Sequence, residues 1–215
     1  MDIDITTIVI IAANVLISFK GFKDFGFFER YKFQIGGIQR GEKDRMFTSG
    51  FLHVDEPHLI FNMLTLYFFA GNVISGVGSS KFLLIYLASL LSGSLFALWF
   101  HRNEYYYSAV GASGAVMGIL YAAILLDPSM DIYLMFLPIG IPGYIFGIVY
   151  LLYSIYGMKA RKDNIGHTAH FGGAVGGYVL TLLFKPELLQ TDLKMVLLLA
   201  LPIVLLFVLM KMGKL

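Results

Sequence analysis

The sequence predicts an all-α protein, a polytopic bundle of helices with six membrane spans and a C-terminal seventh. Apolar residues make up 58% of the 215-residue chain and charged residues only 14%, where a soluble domain carries about a quarter charged. Mean hydropathy is +0.76. The apolar residues fall in long blocks with few charges inside them, which is the pattern of transmembrane helices. Asp127-Pro128 and Lys185-Pro186 punctuate these blocks where a helix has to stop.

Composition also excludes several classes of function. Cysteine is absent, which removes disulfides, thiolate nucleophiles and cysteine-ligated zinc. A formal charge of +2 is too small for a nucleic-acid partner, so the lipid bilayer is the expected surrounding, with the cell membrane as the location. The N-terminus reads Met1-Asp2-Ile3-Asp4, acidic where a cleavable signal is basic, so no cleavage is expected. No internal repeat or low-complexity tract is evident. Residues 1–215 read as a single membrane domain, its core at about 5–184 and the extra span at about 194–211.

Taken in order, the first span covers about 5–19. Residues 20–56 mix seven lysines and arginines, Arg45 among them, with aromatic side chains such as Phe22, Phe25, Tyr31 and Phe51. That mixture is too aromatic for a solvated linker and too charged to span, so an interfacial structure is expected. Span two covers about 57–75, span three about 81–100 and span four about 111–126. Span five, about 132–156, contains Pro138 and Pro142, which predict a kink or an irregular start. A polar loop at 157–166 leads to span six, about 167–184, and span seven follows. Tyr105, Tyr106 and Tyr107 read as an interfacial aromatic belt.

Spans two, four and six run in the same direction, so their N-terminal ends share one face of the membrane. The unusual polar residues lie in the first third of these three spans: His58 and Asn62, then Ser113, then His170. Polar groups in lipid are costly and face the protein interior. Three sets at matching depth are therefore expected to meet. Gly114 and Gly118 are four apart, as are Gly173 and Gly177, with Gly172 and Gly176 beside them. Such small-residue strips let helix backbones approach closely. Packing spans four and six through these strips brings Ser113 and His170 to about the same height.

The chemistry follows from the residue types. A serine hydroxyl becomes a good nucleophile when a base takes its proton, and His170 is the candidate base. A tetrahedral oxyanion needs donors fixed in advance. The Ser113 amide at a helix start is one; His58 and Asn62, four residues apart on one helix face, are others. No Asp or Glu lies within spans two, four or six to orient His170, so a dyad is expected in place of a triad. Each residue singly has a blander role: a serine between glycines is packing, Asn62 interhelical glue, Arg45 a headgroup anchor, His53 a loop residue. The joint register on parallel spans is what those roles leave unexplained.

With these residues in view, the sequence resembles the rhomboid family of intramembrane serine proteases. The matching pieces are Arg45-Met46-Phe47-Thr48-Ser49-Gly50-Phe51-Leu52-His53, His58-Leu59-Ile60-Phe61-Asn62-Met63, Gly111-Ala112-Ser113-Gly114, and Ala169-His170-Phe171-Gly172-Gly173 with Gly177. The resemblance covers spans one to six and implies peptide-bond hydrolysis in or beside a substrate's transmembrane segment. It implies Ser113 as nucleophile, His170 as base, and His58, Asn62 and the Ser113 amide as oxyanion donors. Gly111, Gly114, Gly173, Arg45 and His53 are supporting residues on the same grounds. It also implies transmembrane protein substrates and no metal or cofactor.

The sequence departs from the family pattern at three places. Asp44 stands where a tryptophan is common, Met117 where a tyrosine often packs on the catalytic histidine, and Ile74 where a glutamate ties span two to the first loop. A helical peptide bond is shielded, so a substrate has to unwind, which favours helix-weakening residues near the cut. The loops at 101–110 and 157–166 flank the expected site, and an unwound strand could pair with either.

Other functions stay open at this level. An inactive rhomboid-like binder of membrane proteins is the alternative. A metalloprotease using His53, His58, His167 and His170 lacks a His-Glu-x-x-His pattern. A transporter is expected to show inverted repeats and mid-membrane breaks, and none is evident. The family topology implies a cytoplasmic N-terminus and an outward-facing site. The basic residues of the loops at 20–56, 101–110 and 157–166 imply the reverse orientation.

Overall fold

Asp4 starts the first helix by accepting a hydrogen bond from the Thr6 amide at 2.8 Å, as an N-cap should. The computed structural model describes residues 3–133 and 139–215. Met1, Asp2 and Pro138, the residue expected to kink span five, lie outside the described residues. Helix α1 spans Ile5–Lys23, past the expected end at residue 19. The aromatic and basic segment that follows folds into short pieces: α2 Phe25–Tyr31, β1 Phe33–Gln34, α3 Ile35–Gln39, α4 Arg45–Thr48 and a 3₁₀ turn at Ser49–Phe51.

Arg45 organises this cap. It is buried, donates through Nη1 to the carbonyls of Glu29 and Lys32, both at 2.9 Å, and pairs with Glu42. Its role is a tie within the cap, not a headgroup anchor. Asp44, at the departing tryptophan position, pairs with Arg30 at 2.9 Å on the surface. The first loop is fastened to the bundle by Ser94, whose hydroxyl donates to the Met46 carbonyl at 2.7 Å. Ile74, where the family has a glutamate, packs against the apolar core.

The long helices are α5 Glu56–Val77, α6 Ser79–Phe100, α7 Ser113–Leu126, α8 Gly143–Ala160, α9 His167–Phe184 and, after the short α10 Leu188–Thr191, α11 Leu193–Lys211. Strand β2 Ser108–Ala109 pairs antiparallel with β1, Phe33 opposite Ala109. The loop at 101–110 therefore already has one edge of its short strand occupied by the cap. Span five does not begin at 132. Strands β3 Asp131–Tyr133 and β4 Gly140–Pro142 pair there instead, and α8 starts at Gly143, just after Pro142. Proline fixes φ and has no N–H to give the preceding turn, so the helix starts beyond it. Span six matches its expected limits at 167 and 184.

Among the described residues, four helices, α1, α5, α6 and α11, are long and apolar enough to cross a membrane. Helices α8 and α9 reach 18 residues each, but tyrosines and glycines dilute the first, and glycines and histidines the second. Helix α7, with 14 residues, is buried continuously from Gly114 to Leu125. It is the axis of the bundle. Leucines and phenylalanines such as Leu16, Phe61, Phe68, Leu95 and Leu201 stay exposed on the outer helices, the surface a bilayer covers. The chain is an integral membrane protein.

Candidate active site

The turn before α7 is held from three directions. Gly111 has φ +126°, a conformation that a side chain disfavours. Its amide donates to the Ser49 carbonyl at 3.0 Å. The next amide, Ala112, donates to His53 Nε2 at 3.4 Å. His53 is fully buried, and its Nδ1 lies 2.9 Å from Ser18 Oγ, which donates in turn to the Phe51 carbonyl at 3.0 Å. Burial first, then the neighbouring His58 charge, lower the His53 pKa to about 3, against a small opposing effect of Asp55. The ring is thus neutral, with Nδ1–H donating to Ser18 and Nε2 accepting from Ala112. His53 is a strut between α1 and the turn that carries Ser113.

Ser113 opens α7, so its amide has no helical carbonyl one turn back. At about 1.5 Å per residue, 14 residues make only ~21 Å of helix, against a hydrocarbon layer of about 30 Å. A helix that short keeps its first residue below the headgroups when it lies across the middle of the layer.

Helix α9 brings the imidazole. A Cβ on Gly173 or Gly177 would strike the carbonyls of Gly114 and Gly118 respectively, so α7 and α9 touch backbone to backbone, as the glycine strips predict. The second strip has its own partner: a Cβ on Gly172 would come within 2.6 Å of Phe96 Cβ, and on Gly176 within 2.8 Å of Ser92 Cβ, both on α6. Wedged between two helices, α9 places His170 Nε2 2.6 Å from Ser113 Oγ. With Nε2 unprotonated, the serine hydroxyl donates to it.

Helix α5 completes the cluster. Asp55 caps it by accepting from the His58 amide at 2.8 Å. The His58 ring leans on Gly111: a Cβ there would sit 2.8 Å from His58 Cε1, 2.9 Å from Nε2 and 3.7 Å from Ser113 Oγ. His58 and Ser113 thus flank one point, and only glycine leaves it open. His58 Nδ1 is buried without a hydrogen-bond partner among the described residues. Asn62 is buried, and its Nδ2 donates to the His58 carbonyl of its own helix at 3.0 Å. An amide nitrogen carries two hydrogens, so one remains for a ligand.

One histidine of span six does not join the site. His167 turns its Nε2 to Asp163, at 3.0 Å, and meets His170 edge-on at 6.4 Å between centroids. Among the described residues, no three His, Cys, Asp or Glu side chains converge as a metal-ligand set. At the rim, Arg161 pairs with Glu104 at 2.8 Å and ties the loop at 157–166 to that at 101–110. The tyrosine trio divides: Tyr106 is exposed, whereas Tyr107 stacks on His101 at 3.6 Å.

One residue near His170 has no sequence signal. Tyr150 Oη, from α8, lies 2.8 Å from His170 Nδ1, and the two rings are 5.8 Å apart. Helix α8 also holds Tyr144, Tyr153 and Tyr156, and nothing in the spacing singles out the one that faces α9. Met117 is buried in the same half of the core.

Fold and composition define a polytopic, all-helical membrane protein whose polar residues gather at the starts of three parallel helices. The chain belongs to the rhomboid family: the model of the Rhomboid domain matches residues 40–187. It is 30% identical over 182 residues to RHOMBOID-like protein 12, mitochondrial, of Arabidopsis thaliana, covering 78% of this chain and 54% of that one. It is 36% identical over 142 residues to Rhomboid protease GluP of Bacillus subtilis, covering 66% of this chain and 26% of GluP. Putative rhomboid protease YdcA of the same organism is 30% identical over 149 residues, 68% of this chain and 70% of YdcA. The chain thus spans about half the plant relative's length and about a quarter of GluP's.

Proposed function

We propose that this chain is an intramembrane serine endopeptidase that cleaves transmembrane segments of other proteins with Ser113 and His170. The observation that carries this reading is the 2.6 Å approach of Ser113 Oγ to His170 Nε2 at the half-buried start of α7. His170 takes the hydroxyl proton as Oγ attacks the scissile carbonyl. The oxyanion receives the Ser113 amide, His58 and the free N–H of Asn62. The same proton passes to the leaving amine, and a water, deprotonated by His170, then hydrolyses the acyl-enzyme. The activity belongs to one domain over 1–215, set in the cell membrane, although some relatives are named mitochondrial. Substrates unwind at the cut and carry Gly, Pro or other weak helix formers there.

Cleavage of a model transmembrane substrate by the purified protein in liposomes tests this, with Ser113→Ala alongside and a chelator in parallel. The expected result is a loss of about 10⁴-fold or more in Ser113→Ala and indifference to the chelator. Activity that survives the substitution and dies with chelator overturns the serine mechanism. Absence of both cleavage and fluorophosphonate labelling favours an inactive binder.

A further inference from the structure

When His170 takes the Ser113 proton it becomes an imidazolium with two N–H donors. One points at the reacting oxygen. The other, on Nδ1, sits inside the bundle, where an N–H without an acceptor is costly, and more so when charged. Among the described residues no carboxylate serves it: Asp163, the acid nearest in sequence, is taken up by Tyr153 at 2.9 Å and His167 at 3.0 Å. The partner that Nδ1 does have is the hydroxyl of Tyr150, at 2.8 Å.

We propose that Tyr150 is a positioning residue for the base, its Oη accepting the Nδ1–H of His170. A hydroxyl can donate or accept by rotating its hydrogen. In the state that matters, Nε2 must be free to receive the serine proton, so Nδ1 carries the hydrogen and Oη accepts it. The phenol therefore does with a neutral oxygen what a carboxylate does in a triad: it holds the imidazole in the working tautomer and meets the imidazolium as it forms. The ring is placed for this from α8 by packing, stacked on Phe146 at 5.9 Å. The functional assembly is then three side chains from three helices: Ser113 on α7, His170 on α9 and Tyr150 on α8.

This proposal rests on the protease reading above. Tyr150→Phe removes the hydroxyl and keeps the ring. Expected are a kcat lowered about tenfold with KM unchanged, as for loss of one hydrogen bond made in the transition state, and fluorophosphonate labelling of Ser113 slowed by a similar factor. Selective ¹⁵N-histidine NMR, with the His170 signals assigned through His170→Ala, reads the tautomer without any turnover: Nδ1–H dominates in the wild type, and a mixture appears in Tyr150→Phe. Unchanged kcat, labelling rate and tautomer in Tyr150→Phe overturn the proposal even if the wild type is an active protease. If the wild type neither cleaves nor labels, the protease reading fails first and the proposal falls with it. A purely structural role would lower the melting temperature of Tyr150→Phe while leaving tautomer and kcat in place, and that outcome also overturns it.

Discussion

His170 is held on two sides by contacts of opposite kind. Toward α7, the seam is backbone on backbone: Gly173 and Gly177 lie so close to the carbonyls of Gly114 and Gly118 that no Cβ fits. Toward α8, one phenol reaches across at 2.8 Å. The first contact fixes where the imidazole is, because a packed backbone has almost no freedom to slide. The second bears on which way the ring is protonated. The distance between Ser113 Oγ and His170 Nε2 is thus a property of the glycine seam, and tautomer a property of a side chain that can be exchanged without moving a helix.

Breaking the seam is expected to have the largest effect. Gly177→Val drives two helices apart; overpacking of this kind costs about 1–3 kcal/mol or more, and catalysis falls far more steeply than stability because the 2.6 Å approach is lost. Thermal unfolding in detergent beside the cleavage assay checks both. Gly71→Ala, on α5 with nothing within 4 Å of the added carbon, is the control and is expected to leave both nearly unchanged. A seam variant no worse than this control would refute the backbone account.

Gly111→Ala is next. It places a Cβ at φ +126° and against His58, a strain of about 1–3 kcal/mol. It is expected to displace His58 and lower kcat at least tenfold with the α7–α9 seam intact. Normal kcat in a folded Gly111→Ala would remove His58 from the proposed oxyanion donors. The tenfold loss predicted for Tyr150→Phe sharpens the other side of the comparison, since it should leave the melting temperature where it was.

The smallest effect concerns His53 and is read as pH dependence. Its folded pKa is lowered from 6.5 to about 3. Between those values the unfolded chain takes up a proton that the folded chain does not, so stability falls as pH falls, by at most about 1.4 kcal/mol per unit. Melting temperatures between pH 7 and pH 5 should drop less in His53→Gln than in the wild type. Equal slopes would show that His53 is not held neutral.

Much of this was legible from sequence because membrane helices advertise themselves. A bilayer forces each span into an apolar run, so six of the seven helices began within about two residues of expectation. The fifth did not. Its apolar residues continue through β3 and β4, and hydropathy alone cannot separate a strand pair from a helix start. Gly-strip spacing also gave the α7–α9 contact, since only small residues allow that approach. It did not say that Gly172 and Gly176 face α6, because a strip names a close neighbour without identifying it.

By itself, then, the sequence determined the class of fold, the parallel run of α5, α7 and α9, and the matching depth of His58, Asn62, Ser113 and His170. These depend on local periodicity and on counting spans. Only the tertiary structure decided that His53 props the Ser113 turn, that Asn62 spends one N–H on its own helix, and that Tyr150 among four tyrosines meets His170. The first and last depend on how separate elements pack against one another, and the second on the rotamer of one side chain within its own helix; a span's composition encodes neither.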